Sequence, residues 1–230
     1  MRGLSDPRKA RVEALGNWFT YVQDNLEFIL EELVNHLQIV AISVGVATVV
    51  AVLLGAWAQS RPIVRALALS ITGIFLTIPS LALFALFIPL FGIGNRPAIV
   101  ALVLYGLLPI LRNTVTGLDS VSPAVVESAR GMGMSPRQQL LKVRLPLAFP
   151  VVMAGIRVST LLIVGLTAIA VLVGGDGLGS FIQDGLTRNG FPNAGNAVVV
   201  GVVFTVALGL VLDAVLATVQ RVFTPRGLLV

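Results

Sequence analysis

The chain has no cysteine. Disulfides, thiol chemistry and cysteine-ligated metals are excluded, and nothing follows about compartment. It has one histidine, His36, too little for an ordinary metal site. We read His36 as an interfacial residue at the start of a membrane span, and expect no metal and no cofactor. There is no nucleophile–histidine–acid set and no carboxylate pair suited to acid–base work, so no catalytic residue is expected. No Walker-type G-x-x-x-x-G-K-[ST] occurs, so the chain should not hydrolyse ATP by itself. No short apolar region with a cleavage site stands near the front, so no signal peptide is expected. No internal repeat or low-complexity segment is evident. Charge is scarce too. Only 12% of the 230 residues are charged, where a soluble domain has about 25%.

Apolar residues take that place, at 56% of the chain, with a mean hydropathy of +0.95. The pattern is that of an all-α membrane protein with about five transmembrane helices, since some 20 apolar residues cross a ~30 Å hydrocarbon core. Residues 1–36 form a polar, amphipathic N-terminal segment. In it Trp18, Phe19, Val22, Leu26, Ile29, Leu30 and Leu33 recur at helical spacing. This stretch is either a helix on the membrane surface or an extension of the first span. The spans then run over about 37–58, 63–90, 97–111 (continuing toward Leu118), 147–173 and 196–219. A kink is expected at Pro79, which breaks the hydrogen-bond ladder. A glycine-rich loop over 174–195 joins the last two spans.

The net charge of +5 does not point to nucleic acid, because the basic residues sit at span ends. Arg61, Arg65, Arg112, Arg130, Arg137, Lys142, Arg144, Arg221 and Arg226 fall on one side in the five-span arrangement. The loops of the other side carry Arg96 and Arg188. The positive-inside rule puts the first side in the cytoplasm, with the N-terminus outside and the C-terminus inside.

The longest polar interruption is residues 122–146. Ser122-Pro123 is a helix start, with Ser as N-cap and Pro at the first helical position. Gly131 and Gly133 are placed to take left-handed conformations that end a helix. Ser135 and Gln138 have capping-box spacing. Pro146 disfavours helical geometry at Leu145, so the second helix should stop or bend there. Two short helices at a glycine elbow, outside the bilayer, are expected.

Glu127, Ser128 and Ala129 are followed by three residues and Gly133, and nine more lead to Val143, Arg144, Leu145 and Pro146. This resembles the E-A-A, three residues, G, nine residues, I-x-L-P loop of permease subunits of bacterial ATP-binding-cassette importers. Ser128 and Val143 are small departures. FLTIPSLALFALFIPLFGIGNRPAIVALVLYGLLPILRNTVTGLDSV and GGDGLGSFI extend the likeness over about 37–226, with Asp176 departing from a G-x-G-G-L-G loop. The chain is similar to the glycine betaine/carnitine/choline permeases, and methionine-type permeases are the nearest rival.

The resemblance implies a MetI-like permease fold and a permease domain over 37–226 in the cell membrane. Its 122–146 loop would couple to a separate ATPase subunit through Glu127, Ser128, Ala129, Gly133, Val143, Leu145 and Pro146. It also implies an extracytoplasmic substrate-binding protein, a second permease copy or paralogue, and surrounding lipid. An ion-coupled transporter or channel is the reading from another class, and it would show inverted repeats and buried carboxylates.

Arg157 and Asp213 are the ionisable groups within the spans, and are expected near span ends or paired with one another. Thr72, Thr77, Ser80, Ser159, Thr160 and Thr167 either line the path or hydrogen-bond between packed helices. The tryptophans and tyrosines are too scattered in sequence to form one cage for a quaternary ammonium, with Phe75, Phe84 and Phe87 as weak contributors. Selectivity is therefore expected in the separate binding protein.

Overall fold

A computed structural model of the chain describes residues 17–224. Among these residues all regular structure is helical. A short helix, α1 (17–24), ends at Asn25. Next come α2 (Leu26–Ala58), α3 (Pro62–Thr77), α4 (Ser80–Phe91) and α5 (Asn95–Asp119). The loop holds α6 (Pro123–Gly131) and α7 (Pro136–Gln139). α8 (Leu145–Ala170), α9 (Gly179–Thr187) and α10 (Ala194–Phe223) complete the order.

α5 is the centre, with α8 and α2 packed along it. Lipid is as apolar as a leucine side chain, so helices in a bilayer associate by close approach and not by the hydrophobic effect. The α5–α8 contact shows how. A Cβ on Gly106 would meet the Ser159 hydroxyl at 2.8 Å and Ile163 at 2.9 Å, and one on Gly155 would meet Asn113 at 2.6 Å. The Ser159 hydroxyl then reaches across to donate to the Gly106 carbonyl at 3.1 Å. Leu53, Ile63, Ile74 and Leu210 point outward, as lipid-facing side chains do.

The second span is broken. α3 and α4 meet at 101°. Pro79 has no N–H and drives Ile78 out of helical geometry, to ψ 132. The Ile78 carbonyl, freed from the ladder, accepts from the Tyr105 hydroxyl at 2.7 Å. The broken pair still makes one full crossing. Arg65 near its start pairs with Asp119 at the end of α5. Its exit at Gly94 lies against Val173, beyond the end of α8. Those points are one α5 length apart, about 37 Å. With the long apolar helices α2, α5, α8 and α10, this makes the expected five crossings.

Several expectations are corrected. The first span begins at Leu26, upstream of Leu37, so the second half of the N-terminal segment prolongs that span. His36 is not interfacial; it is fully buried. Gly131 stays helical within α6, and only Gly133 takes a positive φ, +81. Leu145 does not stop the helix, having φ −63 and ψ −45. Residues Leu140–Arg144 widen into a π-helix, and the Leu145 N–H bonds to the Leu140 carbonyl. That extra residue per turn lets Pro146, which has no N–H, enter at the start of α8 without losing a bond. Part of the glycine-rich stretch is helical, as α9. The basic residues at positions 2, 8, 9, 11 and 226 lie outside the described residues.

Candidate functional site

One end of the bundle carries the 122–146 loop. α6 starts at Pro123 after Ser122, whose side chain makes no capping bond. Gly133 turns the chain, with its N–H on the Arg130 carbonyl and the Met134 N–H on the Ala129 carbonyl. α7 opens with the complete capping box, Gln138 N–H to Ser135 Oγ and Ser135 N–H to Gln138 Oε1. Ala129 is 1% exposed and fits beneath the elbow. Ser128, which departs from alanine, turns its hydroxyl back to the Ala124 carbonyl at 2.8 Å. Glu127 and Pro146 are exposed, and Val143 and Leu145 half-buried. Val125, Met132 and Leu141 are exposed apolar side chains on the same loop. The loop thus offers a rigid elbow with a carboxylate, basic side chains and apolar tips. α7, the π-segment and α8 form one run of 38 residues, Pro136–Val173.

Arg157 of α8 and Asp213 of α10 find one another. Arg157 donates to both oxygens of Asp213, at 2.7 and 2.8 Å. It also reaches Gln220 Oε1 at 3.4 Å, and Gln220 donates to the Pro150 carbonyl at 3.0 Å. This clamp ties α8 to α10. A paired, bidentate carboxylate has little left for an ion.

The hydroxyl residues divide. Thr72, Thr160 and Thr167 are buried and bonded to their own helix, at the carbonyls of Ala68, Ile156 and Ile163. Ser159 is buried and bonds across to α5. Thr77 is exposed beside the α3–α4 break and bonds to Ile74, and Ser80 is half-buried next to it. Phe84 and Tyr105 lie in the packed interior, with Phe87 against them.

The opposite end of the bundle is closed by contacts far apart in sequence. Glu32 accepts from the Gly177 N–H at 2.6 Å. His36 Nδ1 accepts from the Leu178 N–H at 3.3 Å, so Nε2 carries the proton and donates to the Val164 carbonyl at 3.1 Å. Asp176 and Asn95 exchange two bonds, at 2.7 and 2.8 Å. The glycine-rich stretch is thereby pinned to α2 and α5. Beside it, α1, the start of α2 and α9 enclose a cavity of about 510 Å³ lined by Tyr21, Phe28, Ser180, Phe181, Asp184 and Arg188 among others. Sequence reasoning missed this grouping, because residues 28 and 181 meet only in the fold. Burial, and then the Asp184 charge, push the Tyr21 phenol above its ordinary 10.0.

Comparison with known proteins gives the family and the fold. The family described as "Binding-protein-dependent transport system inner membrane component" matches residues 47–225. The choline transport system permease protein OpuBB of Bacillus subtilis (strain 168) is 41% identical over 90% of this chain and 94% of its own. The glycine betaine/carnitine/choline transport system permease protein OpuCB of the same organism is 39% identical over 93% of this chain and 97% of its own. The osmoprotectant import permease protein OsmW of Salmonella typhimurium (strain LT2) is 38% identical over 90% and 97%. Among solved structures, the inward-facing MetNI methionine ABC transporter aligns with a TM-score of 0.76. It is 24% identical and covers 87% of this chain and 98% of that one, a likeness of fold.

Proposed function

Because the chain belongs to the binding-protein-dependent transport system inner membrane component family, we propose that it is the permease subunit of an ATP-driven importer for a quaternary-ammonium osmolyte. Glycine betaine, carnitine and choline are the candidate solutes. The observation that carries the coupling role is the exposed two-helix elbow at one end of the bundle. In this reading residues 37–226 are the permease domain, and the 122–146 loop enters a groove of a separate ATPase subunit. Glu127 and the basic side chains form its polar contacts. Ala129 and Gly133 keep its shape, and Val143, Leu145 and Pro146 join it to α8. A second copy or a paralogue completes the path, and an extracytoplasmic binding protein delivers solute. The loop end is cytoplasmic and the glycine-rich end faces outward, with the N-terminus outside.

The osmolyte reading is preferred to the methionine-type one on sequence. The osmoprotectant-type relatives reach 38–41% identity, against 24% for the methionine transporter. An ion-coupled mechanism would need a carboxylate for the ion, but Arg157 holds Asp213 and the Gly177 N–H holds the buried Glu32. The test is reconstitution with the ATPase and binding protein encoded beside this chain. ATP-dependent uptake of a quaternary ammonium is expected. Uptake of methionine alone, or uptake driven by an ion gradient without ATP, overturns the reading.

A further inference from the structure

The cavity at the outward end has a chemistry that the coupling role does not use. Its walls are fixed by packing. Ile29, Phe181 and Val200 are buried together, with Trp18, Tyr21 and Val22 against them. The Phe28 and Phe181 rings stand 5.1 Å apart, tilted by 53°. Asn25 follows α1 and bonds back to the Tyr21 carbonyl at 2.8 Å, and Tyr21 lines the cavity. At the end of α9, Arg188 Nε pairs with Asp184 Oδ1 at 2.7 Å, and both line the cavity. Among the described residues, the buried Ser180 hydroxyl on this wall has no hydrogen-bond partner.

Aromatic faces attract a cation that cannot donate hydrogen bonds, such as a trimethylammonium group. The paired acid and base cancel, so the cavity carries no net charge to favour a simple cation or anion. An arginine has five donors, and the Nε contact to Asp184 leaves the η nitrogens for a second carboxylate. A solute with both a fixed positive charge and a carboxylate matches all three features. The volume of about 510 Å³ is within the range of small-molecule sites.

We propose that this cavity is a weak outer site for a zwitterionic quaternary ammonium, with trimethylammonium against Tyr21, Phe28 and Phe181 and carboxylate on Arg188. The solute class rests on the transport reading above. Such a site would receive solute on the outer face before the path opens. Its weakness fits selectivity residing in the binding protein.

The test uses the full chain in lipid nanodiscs, with glycine betaine and choline as probes and saturation-transfer NMR as readout. Millimolar binding is expected, with betaine ahead of choline. Phe28 and Arg188 are both exposed, at 45% for Phe28 and 68% for the Arg188 side chain, so their variants should fold. Phe28→Ala should weaken both probes about two- to fivefold. Arg188→Gln should remove the preference for betaine and spare choline. No binding, equal binding by both variants and wild type, or choline ahead of betaine overturns the site. Uptake by the complete importer is measured alongside. Uptake without binding here overturns the site and leaves the transport reading. Binding with the expected variant effects but no uptake of any quaternary ammonium supports the site and overturns that reading.

Discussion

Gly131 and Gly133 lie two positions apart on the 122–146 loop, both exposed, and an alanine should act in opposite directions at them. At neither position would a Cβ meet another atom within 4 Å. Steric fit therefore plays no part, and only backbone preference decides. Gly133 has φ +81, where an L-residue costs about 1–2 kcal/mol. That shifts the population of the formed elbow by a factor of about 5–30. Valine should cost more, because β-branched residues are outliers at positive φ. Gly131 is the last residue of α6 and is helical, so alanine there should stabilise the helix by about 0.5–1 kcal/mol. The assay is solute-stimulated ATPase of the reconstituted importer, with membrane insertion as the control. Gly133→Ala should lower stimulation several-fold and Gly133→Val further, while Gly131→Ala keeps or raises it. All three should insert normally. Equal effects at the two glycines, or normal stimulation in Gly133→Val, would refute the role of the elbow.

Glu127→Lys should weaken attachment of the ATPase and lower transport without unfolding the spans; co-purification at wild-type yield would count against it. With no native cysteine, a cysteine at Ser135 should label only from the cytoplasm and one at Asn189 only from outside, and reversed labelling sinks the orientation. Asp213→Leu and Arg157→Leu should each lower thermal stability in detergent, and the double variant should recover part of the loss. An interaction energy of about 0.5–3 kcal/mol is expected between sites in direct contact, and strict additivity would show that the clamp contributes nothing. Glu32→Ala should orphan the buried Gly177 N–H at a cost of about 1–3 kcal/mol, whereas Glu32→Gln keeps an acceptor and should cost less. Equal melting temperatures for those two variants would contradict the hydrogen bond.

Span number, the break at Pro79, the elbow at Gly133 and the capping box at Ser135 were legible in the sequence. Each rests on local chemistry: apolar run length, a missing N–H, a left-handed turn, an N-cap. For Arg157 and Asp213 the sequence left two readings, a place near the span ends or a pairing, and the structure shows the pair. What the sequence concealed depends on distant partners. His36 reads as interfacial by position, but its two acceptor and donor contacts come from Leu178 and Val164. Pro146 reads as a stop because the pre-proline rule knows nothing of a π-turn that absorbs the lost bond. Tyr21, Phe28 and Phe181 line one cavity from three helices, α1, α2 and α9, and such a grouping leaves no periodic trace in the sequence.

The two ends of the bundle are joined by one helix. From Pro136 the chain runs through α7, the π-segment and α8 to Val173 without a break. Just beyond Val173 the glycine-rich stretch is held by Glu32 and His36 of α2 and by Asn95 of α5. α8 is also clamped to α10 through Arg157 and Asp213. A packed helix carries displacement because dense interiors are stiff and hold discrete arrangements. A tilt imposed at the elbow and not taken up by bending within this run moves the far end of α8 relative to α2 and α5, or breaks the bonds that pin it there. The i→i−4 ladder of this run is interrupted at the π-segment, Leu140–Arg144, and at Pro150, and those are its places to bend. The continuity of α8 past Pro146, which the proline rule did not anticipate, is what gives the 122–146 loop a mechanical route to the opposite end of the bundle.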